Sequence, residues 1–204
     1  SRSMQRLEAE LQVSLFDRQK NKIKFNENGR MAAEYLYTLG HREVFYLGLR
    51  PGSATHTLRH LGFCTAAREL GLAVRTVENP TSASTISSGY QMARSVLEQP
   101  FSQTAVFAAS DAVALGMIQV ADELGIPIPE RLSVLGFDNI EYAALPNIRL
   151  STLSHNSPTM ARAAVHLLLE LIDSGGPGEV THKLIAPRLV ERNTCCSPQQ
   201  RTAV

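Results

Sequence analysis

The stretch 104–139 (TAVFAASDAVALGMIQVADELGIPIPERLSVLGFDN) constrains the fold more than any other part of this chain. It opens with a short apolar run, 104–109, of a length that suits a buried strand. Ser110-Asp111 follows, then an apolar-periodic segment over 113–124, which places Asp111 where a helix N-cap would sit. Gly125 closes that helix, and Pro127 and Pro129 prevent its continuation. Residues 132–137 read as a second strand, with Asp138-Asn139 just past its end. Two strands joined through one helix run parallel. Asp111 and Asp138 are therefore expected at the carboxyl ends of neighbouring strands, the edge where open α/β sheets take their ligands.

The rest of the chain repeats this alternation. Helices are predicted over 31–39, 55–71, 88–98 and 158–174, with strands over 43–49, 73–77, 148–152, 182–185 and 188–192. The second helix directs Leu58, Leu61, Phe63, Ala66 and Leu70 inward. Alternating strands and helices joined by short loops predict a doubly wound α/β fold with a mostly parallel sheet. At 204 residues the chain is long enough for a real core.

The net charge of +1 gives no bulk argument for a nucleic-acid partner. Its distribution is uneven, however: residues 1–30 hold seven Lys/Arg against four Asp/Glu. Three cysteines, two of them adjacent, suit a reducing cytoplasm better than a disulfide framework. No apolar run is long enough to span a membrane and no export signal is visible, so a cytoplasmic protein is expected. No G-x-S-x-G, H-E-x-x-H, P-loop or G-x-G-x-x-G is present, and an enzyme is not expected. His56 and His60 have the i, i+4 spacing of a metal pair but lack a third ligand, so neither metal nor cofactor is expected.

Residues 1–30 form a unit of their own. Met4, Leu7 and Leu11 share one helical face, and Leu15-Phe16 would pack beneath it. A polar turn over 17–22 then leads to Ile23 and Phe25 alternating with charge. The run S-R-S-M-Q-R-L-E-A-E-L-Q-V-S-L-F-D-R, followed by K-I-K-F-N-E-N-G, resembles the second half of a LysR-type winged helix-turn-helix. That resemblance implies DNA contacts from Ser1, Arg2, Ser3 and Arg6, with Arg18, Lys20 and Lys22 near phosphates. The first helices of that fold precede the matched part, and a helix-turn-helix docks by bracing one helix on another. A partial DNA-binding fragment is expected, with its junction near 29–31.

The region 31–204 resembles the LacI/GalR family of sugar- and nucleoside-responsive repressors. Six motifs carry the likeness in order: L-G-H-R-E-V-F-Y-L-G (39–48), R-H-L-G-F (59–63), S-D-A-V-A-L-G (110–116), I-P-E-R-L-S-V-L-G-F-D-N (128–139), L-S-T (150–152) and P-R-L-V-E-R-N-T (187–194). The resemblance implies a periplasmic-binding-protein-like effector domain. One of its lobes would be whole; the other would be represented by the helices 31–39 and 158–174, leaving their faces without partners. It implies that Asp138 takes the effector's hydroxyls and Arg59 supplies the opposing cation. Ser110 and Asp111 would lie at the mouth of the next strand, and Thr55 at a helix N-terminus. It implies a homodimer through the helix 112–124 and the loop 141–146, and operator DNA as a partner. The loop 80–84 lacks the aromatic residue that family members often stack on the effector.

Bland roles stand beside several of these. Asp111 suits an N-cap, Arg59 suits a surface arginine on helical spacing alone, and His155 suits either the cleft or a hinge surface. A stand-alone solute-binding or interaction module, and a chain with neither activity intact, are the competing functional readings.

Overall fold

A computed structural model describes residues 26–50, 52–81, 83–173 and 185–198. The expected DNA contacts Ser1, Arg2, Ser3, Arg6 and Arg18 lie outside the described residues, as does most of the strand expected over 182–185.

The elements run α1 (Asn26–Thr38), β1 (Glu43–Leu49), α2 (Ala54–Leu70), β2 (Ala73–Glu78), α3 (Ile86–Leu97), β3 (Ala105–Ala108), α4 (Asp111–Glu123), β4 (Ser133–Phe137), a 3-10 turn (Glu141–Ala144), β5 (Ser151–Ser154), α5 (Ser157–Asp173) and β6 (Arg188–Val190). Among the described residues they build a six-stranded sheet in the order β2-β1-β3-β4-β5-β6. The first five strands pair parallel, and β6 pairs antiparallel to β5. The doubly wound expectation holds.

The central strands β1, β3 and β4 are buried on both faces, which is why each reads as a continuous apolar run rather than an alternation. The side chains still alternate across the pleat. Phe45, Leu47, Val106, Ala108 and Val134 meet α3 and α4 on one face. Val44, Tyr46, Phe107, Leu135 and Phe137 meet α1 and α2 on the other. Burying each large side chain stabilises the fold by about 1.5–3 kcal/mol. Gly89 of α3 and Gly116 of α4 face one another so closely that a Cβ on either would collide with the other helix's backbone. That contact fixes α4, and with it the residues at its amino end.

Several expectations are corrected. Helix α1 begins at Asn26 and runs through 29–31 without a break. Gly29 lies against the α2 backbone at Arg59 and Phe63, where a Cβ would not fit. Ala32, Ala33 and Leu36 of α1 are fully buried, so this helix has its partner in α2. In α2 the inward stripe differs from the one predicted: Leu61 is exposed and Arg59 is buried. The strand expected over 148–152 starts three residues later, because 145–150 continues the turn that follows β4. The unpartnered face expected for the last helix, by contrast, is present: on α5 only Ala163 is buried, and Met160, Val165, Leu168, Leu169 and Ile172 are exposed.

Candidate functional site

The carboxyl ends of β1, β3, β4 and β5 open onto one cavity of about 390 Å³. The β1–α2 connection and the start of α2 contribute Arg50, Ser53, Thr55, His56 and Arg59. Ser110 and Ala112 enter from the β3–α4 corner, Asp138 and Ile140 from the end of β4, His155 from the end of β5, and Ser84 from the loop before α3. Of the expected site residues, Thr55, Arg59, Ser110 and Asp138 are thus brought together. Asp111 is not among them.

Arg59 is only 5% exposed. Its guanidinium lies over the Phe137 ring at 3.5 Å from the centroid, and Nη1 donates to the Ala109 carbonyl. It forms no ion pair among the described residues, and its Nε is buried without a hydrogen-bond partner. Burial pushes its pKa down, with Tyr46 and Asp138 acting in the opposite direction. A buried cation without a bonded anion is costly, and a ligand that supplies acceptors would relieve that cost.

Asp138 sits where the chain leaves β4 with φ of +113°, a conformation that L-residues rarely adopt. Its backbone N–H donates to the Leu153 carbonyl at 2.8 Å, holding the turn against β5. Its carboxylate meets His155 Nε2 at 3.3 Å, and the His155 ring packs edge-on against Phe137 with centroids 4.5 Å apart. Phe137 thus braces both banks: Arg59 packs on its ring and His155 against its edge.

Asp111 has another role. The N-cap of α4 is Ser110, whose hydroxyl accepts from the Val113 N–H at 3.3 Å. Asp111 is the first helical residue and is fully buried. Its Oδ1 accepts from the Thr152 hydroxyl at 2.6 Å and its Oδ2 from the Ile140 N–H at 2.9 Å. A Cβ on Gly136 would overlap Asp111 Oδ1, which explains why β4 carries glycine there. Burial raises the Asp111 carboxyl to about 6, against the pull of those two donors.

The motifs near the end of the chain brace the same edge. Arg192 donates to the Leu150 carbonyl at 2.6 Å and to Asn139 Oδ1 at 2.8 Å. The Thr194 hydroxyl donates to the Val134 carbonyl at 2.6 Å and accepts from the Ser151 N–H at 2.9 Å. Sequence reasoning missed Arg50, Ser84 and the buttressing roles of Thr152, Asn139 and Arg192. A signal for Arg192 was present, since it stands in the same motif set as Asn139. A larger cavity of about 500 Å³ lies between the carboxyl end of α4 and the turn before β5. Three residues that line the smaller one, His56, Arg59 and Ser84, each hold a buried polar atom without a hydrogen-bond partner, and unsatisfied polar groups are what a hydrogen-bonding ligand requires.

The periplasmic binding protein-like domain matches residues 33–195. The chain belongs to that family. It is 34% identical over 172 residues to the HTH-type transcriptional repressor PurR of Pectobacterium atrosepticum, a match covering 82% of this chain and 49% of the relative. Among solved structures, a LacI-family transcriptional regulatory protein from Corynebacterium glutamicum aligns with a TM-score of 0.74 at 32% identity, covering 86% of this chain and 66% of that one. A sugar-binding LacI-family regulator from Escherichia coli aligns with a TM-score of 0.75 at 25% identity, covering 85% and 62%. The relatives are LacI-family regulators, as the six motifs imply. This chain spans about half the length of the curated relatives it matches. No helix among the described residues is long and apolar enough to cross a membrane.

Proposed function

We propose that this chain is the effector-sensing region of a LacI-type transcriptional repressor, taking a small sugar- or nucleoside-like molecule in the cavity at the carboxyl ends of β1, β3, β4 and β5. The observation that carries the reading is that the buried Arg59 and the half-exposed Asp138 line one cavity and act on each other electrostatically. A guanidinium and a carboxylate in one cavity donate and accept in fixed geometry, and hydroxyl-rich ligands are discriminated by such pairs. The sugar-binding regulator from Escherichia coli supports the ligand class. Thr55 and Ser110 add hydroxyls from two further elements, whereas Asp111 acts behind the site by holding Thr152 and Ile140.

Effector binding changes operator affinity by shifting the relative orientation of two subunits, a two-state coupling. The dimer face uses α4 and the turn 141–146, where Leu124, Tyr142 and Leu145 are exposed. Operator contact comes from the basic segment 1–30 through Arg2, Ser3, Arg6 and Arg18. Calorimetric titration with sugars and nucleosides, repeated on Asp138→Ala, tests the site. A ligand whose affinity is unchanged by that substitution sinks the assignment. Gel retardation across a salt series tests the DNA role: retention that vanishes uniformly with salt on every sequence would reduce 1–30 to a basic patch.

A further inference from the structure

The charge on the cavity wall narrows the ligand beyond a neutral sugar. Among the described residues the lining carries Arg50, Arg59, His56 and His155 against one carboxylate, Asp138. That carboxylate already faces His155 at 3.3 Å. Asp111, the other acid of this edge, is turned inward and fully buried. The remaining cations, Arg50 and Arg59, converge beside His56 at the amino end of α2. Burial pushes the His56 pKa down and the charges of Arg59 and Arg50 push it further, so this imidazole enters the corner as a neutral hydrogen-bond donor.

Helix α2 has seventeen residues, no acidic residue in its first turn, and a Ser53 N-cap whose side chain makes no capping bond. By contrast, α4 has Ser110 and Asp111 at its amino end. The positive end of α2 therefore points into the cavity uncompensated. The independent sign of a ligand is Arg59, which lines the same cavity, is only 5% exposed, and has a buried Nε without a hydrogen-bond partner. Resting on the sensor reading above, we propose that the effector carries an anionic group, a phosphate ester or a carboxylate, held in the corner formed by Arg50, Ser53, His56 and Arg59 at the amino end of α2. Asp138 in the same cavity takes the hydroxyls. Free amide N–H groups and a guanidinium both suit an anionic oxygen, and the field there strengthens the bond.

Matched pairs decide it. The full chain is titrated at low salt with ribose and ribose 5-phosphate, and with glucose, glucose 6-phosphate and gluconate. At least one acidic member is expected to bind roughly tenfold or more tightly than its neutral parent, the worth of one charge-assisted hydrogen bond. The phosphate and carboxylate arms separate the two sources of charge. In the double variant Arg50→Gln/His56→Gln the gap between the acidic member and its neutral parent should close to within about twofold. Circular dichroism confirms that the variant is folded. If neutral sugars bind in an Asp138-dependent way and the acidic forms bind no tighter, this inference fails and the sensor reading stands. If the acidic preference survives the double substitution, the corner is misassigned. If no member of either kind binds, and adenosine and adenosine 5′-monophosphate titrated alongside them do not bind either, both readings fall.

Discussion

The carboxyl ends of β3 and β4 are adjacent in the sheet, and each is followed by an aspartate, yet the two carboxylates live under opposite conditions. Asp111 is fully buried with both oxygens bonded, one to β5 through Thr152 and one to the chain after β4 through Ile140. Asp138 has a side chain 37% exposed, His155 as its ion-pair partner among the described residues, and a cavity in front of it. The difference arises from one residue of geometry. Asp111 is the first residue of a helix whose start is fixed by the Gly89–Gly116 contact, so its side chain is directed beneath the sheet edge. Asp138 comes after its strand in a left-handed turn, so its side chain swings out over the edge. The same residue type at the same edge thus joins strands in one case and offers acceptors to a ligand in the other.

Substituting Asp111→Ala should produce the largest effect on stability. It strands the Thr152 hydroxyl and the Ile140 N–H in the interior, a loss of roughly 2–4 kcal/mol even after the cost of the buried carboxylate is removed. Urea unfolding measures it. Ligand affinity should fall with it only through unfolding, so affinity per folded molecule stays within about twofold. Asp138→Ala should do the reverse. Ligand affinity drops by roughly 2–3 kcal/mol while the urea midpoint hardly moves. Equal stability losses in the two variants would erase the distinction between them.

Much of this pair was legible in the residues, and what was not has a physical explanation. The strand-helix-strand reading of 104–139 follows from apolar runs bounded by Gly and Pro, and it put both aspartates on the correct edge. Whether each points inward or outward depends on the exact helix start and on φ at Asp138, which no pattern of residue types encodes. Helical spacing taken alone misplaces Arg59 for a related reason. On spacing alone an arginine belongs outside and Leu61 inside, but Phe137 supplies a ring face and Ala109 a carbonyl, both distant in sequence. The DNA contacts expected over 1–30 lie outside the described residues, and the homodimer remains a proposal.

The pH dependence of stability sharpens the contrast. Burial raises the Asp111 carboxyl from 3.8 to about 6, so the folded state holds its proton more tightly than the unfolded chain does. This makes stability fall as pH rises from about 4 to 6. Burial lowers His41 from 6.5 to about 4, so the unfolded chain binds that proton more tightly. That contribution makes stability rise as pH rises from about 4 to 6.5. In the parent chain the two slopes oppose each other. Asp111→Asn keeps an acceptor for the Ile140 N–H and removes the acid, with the Thr152 hydroxyl turning to accept from the new amide, so the midpoint should rise more steeply with pH than in the parent. Unfolding midpoints between pH 4.5 and 6.5 provide the check. An unchanged slope would mean that Asp111 titrates as it does in the unfolded chain.

His155→Ala should have the smallest effect on stability, because the ion pair it makes with Asp138 is more than one-third exposed on both sides. Such pairs contribute about 0.2–1 kcal/mol when the histidine is charged, and salt reduces that further. A urea midpoint unchanged within error at pH 7.5 is therefore the expected result. The weakness of the pair is what leaves Asp138 available, because an incoming hydroxyl can take the carboxylate at little cost. A loss above about 2 kcal/mol would place His155 and Asp138 with Asp111 among the groups that hold the strands together. Asp138 would then have to give up a structural bond whenever a ligand arrived.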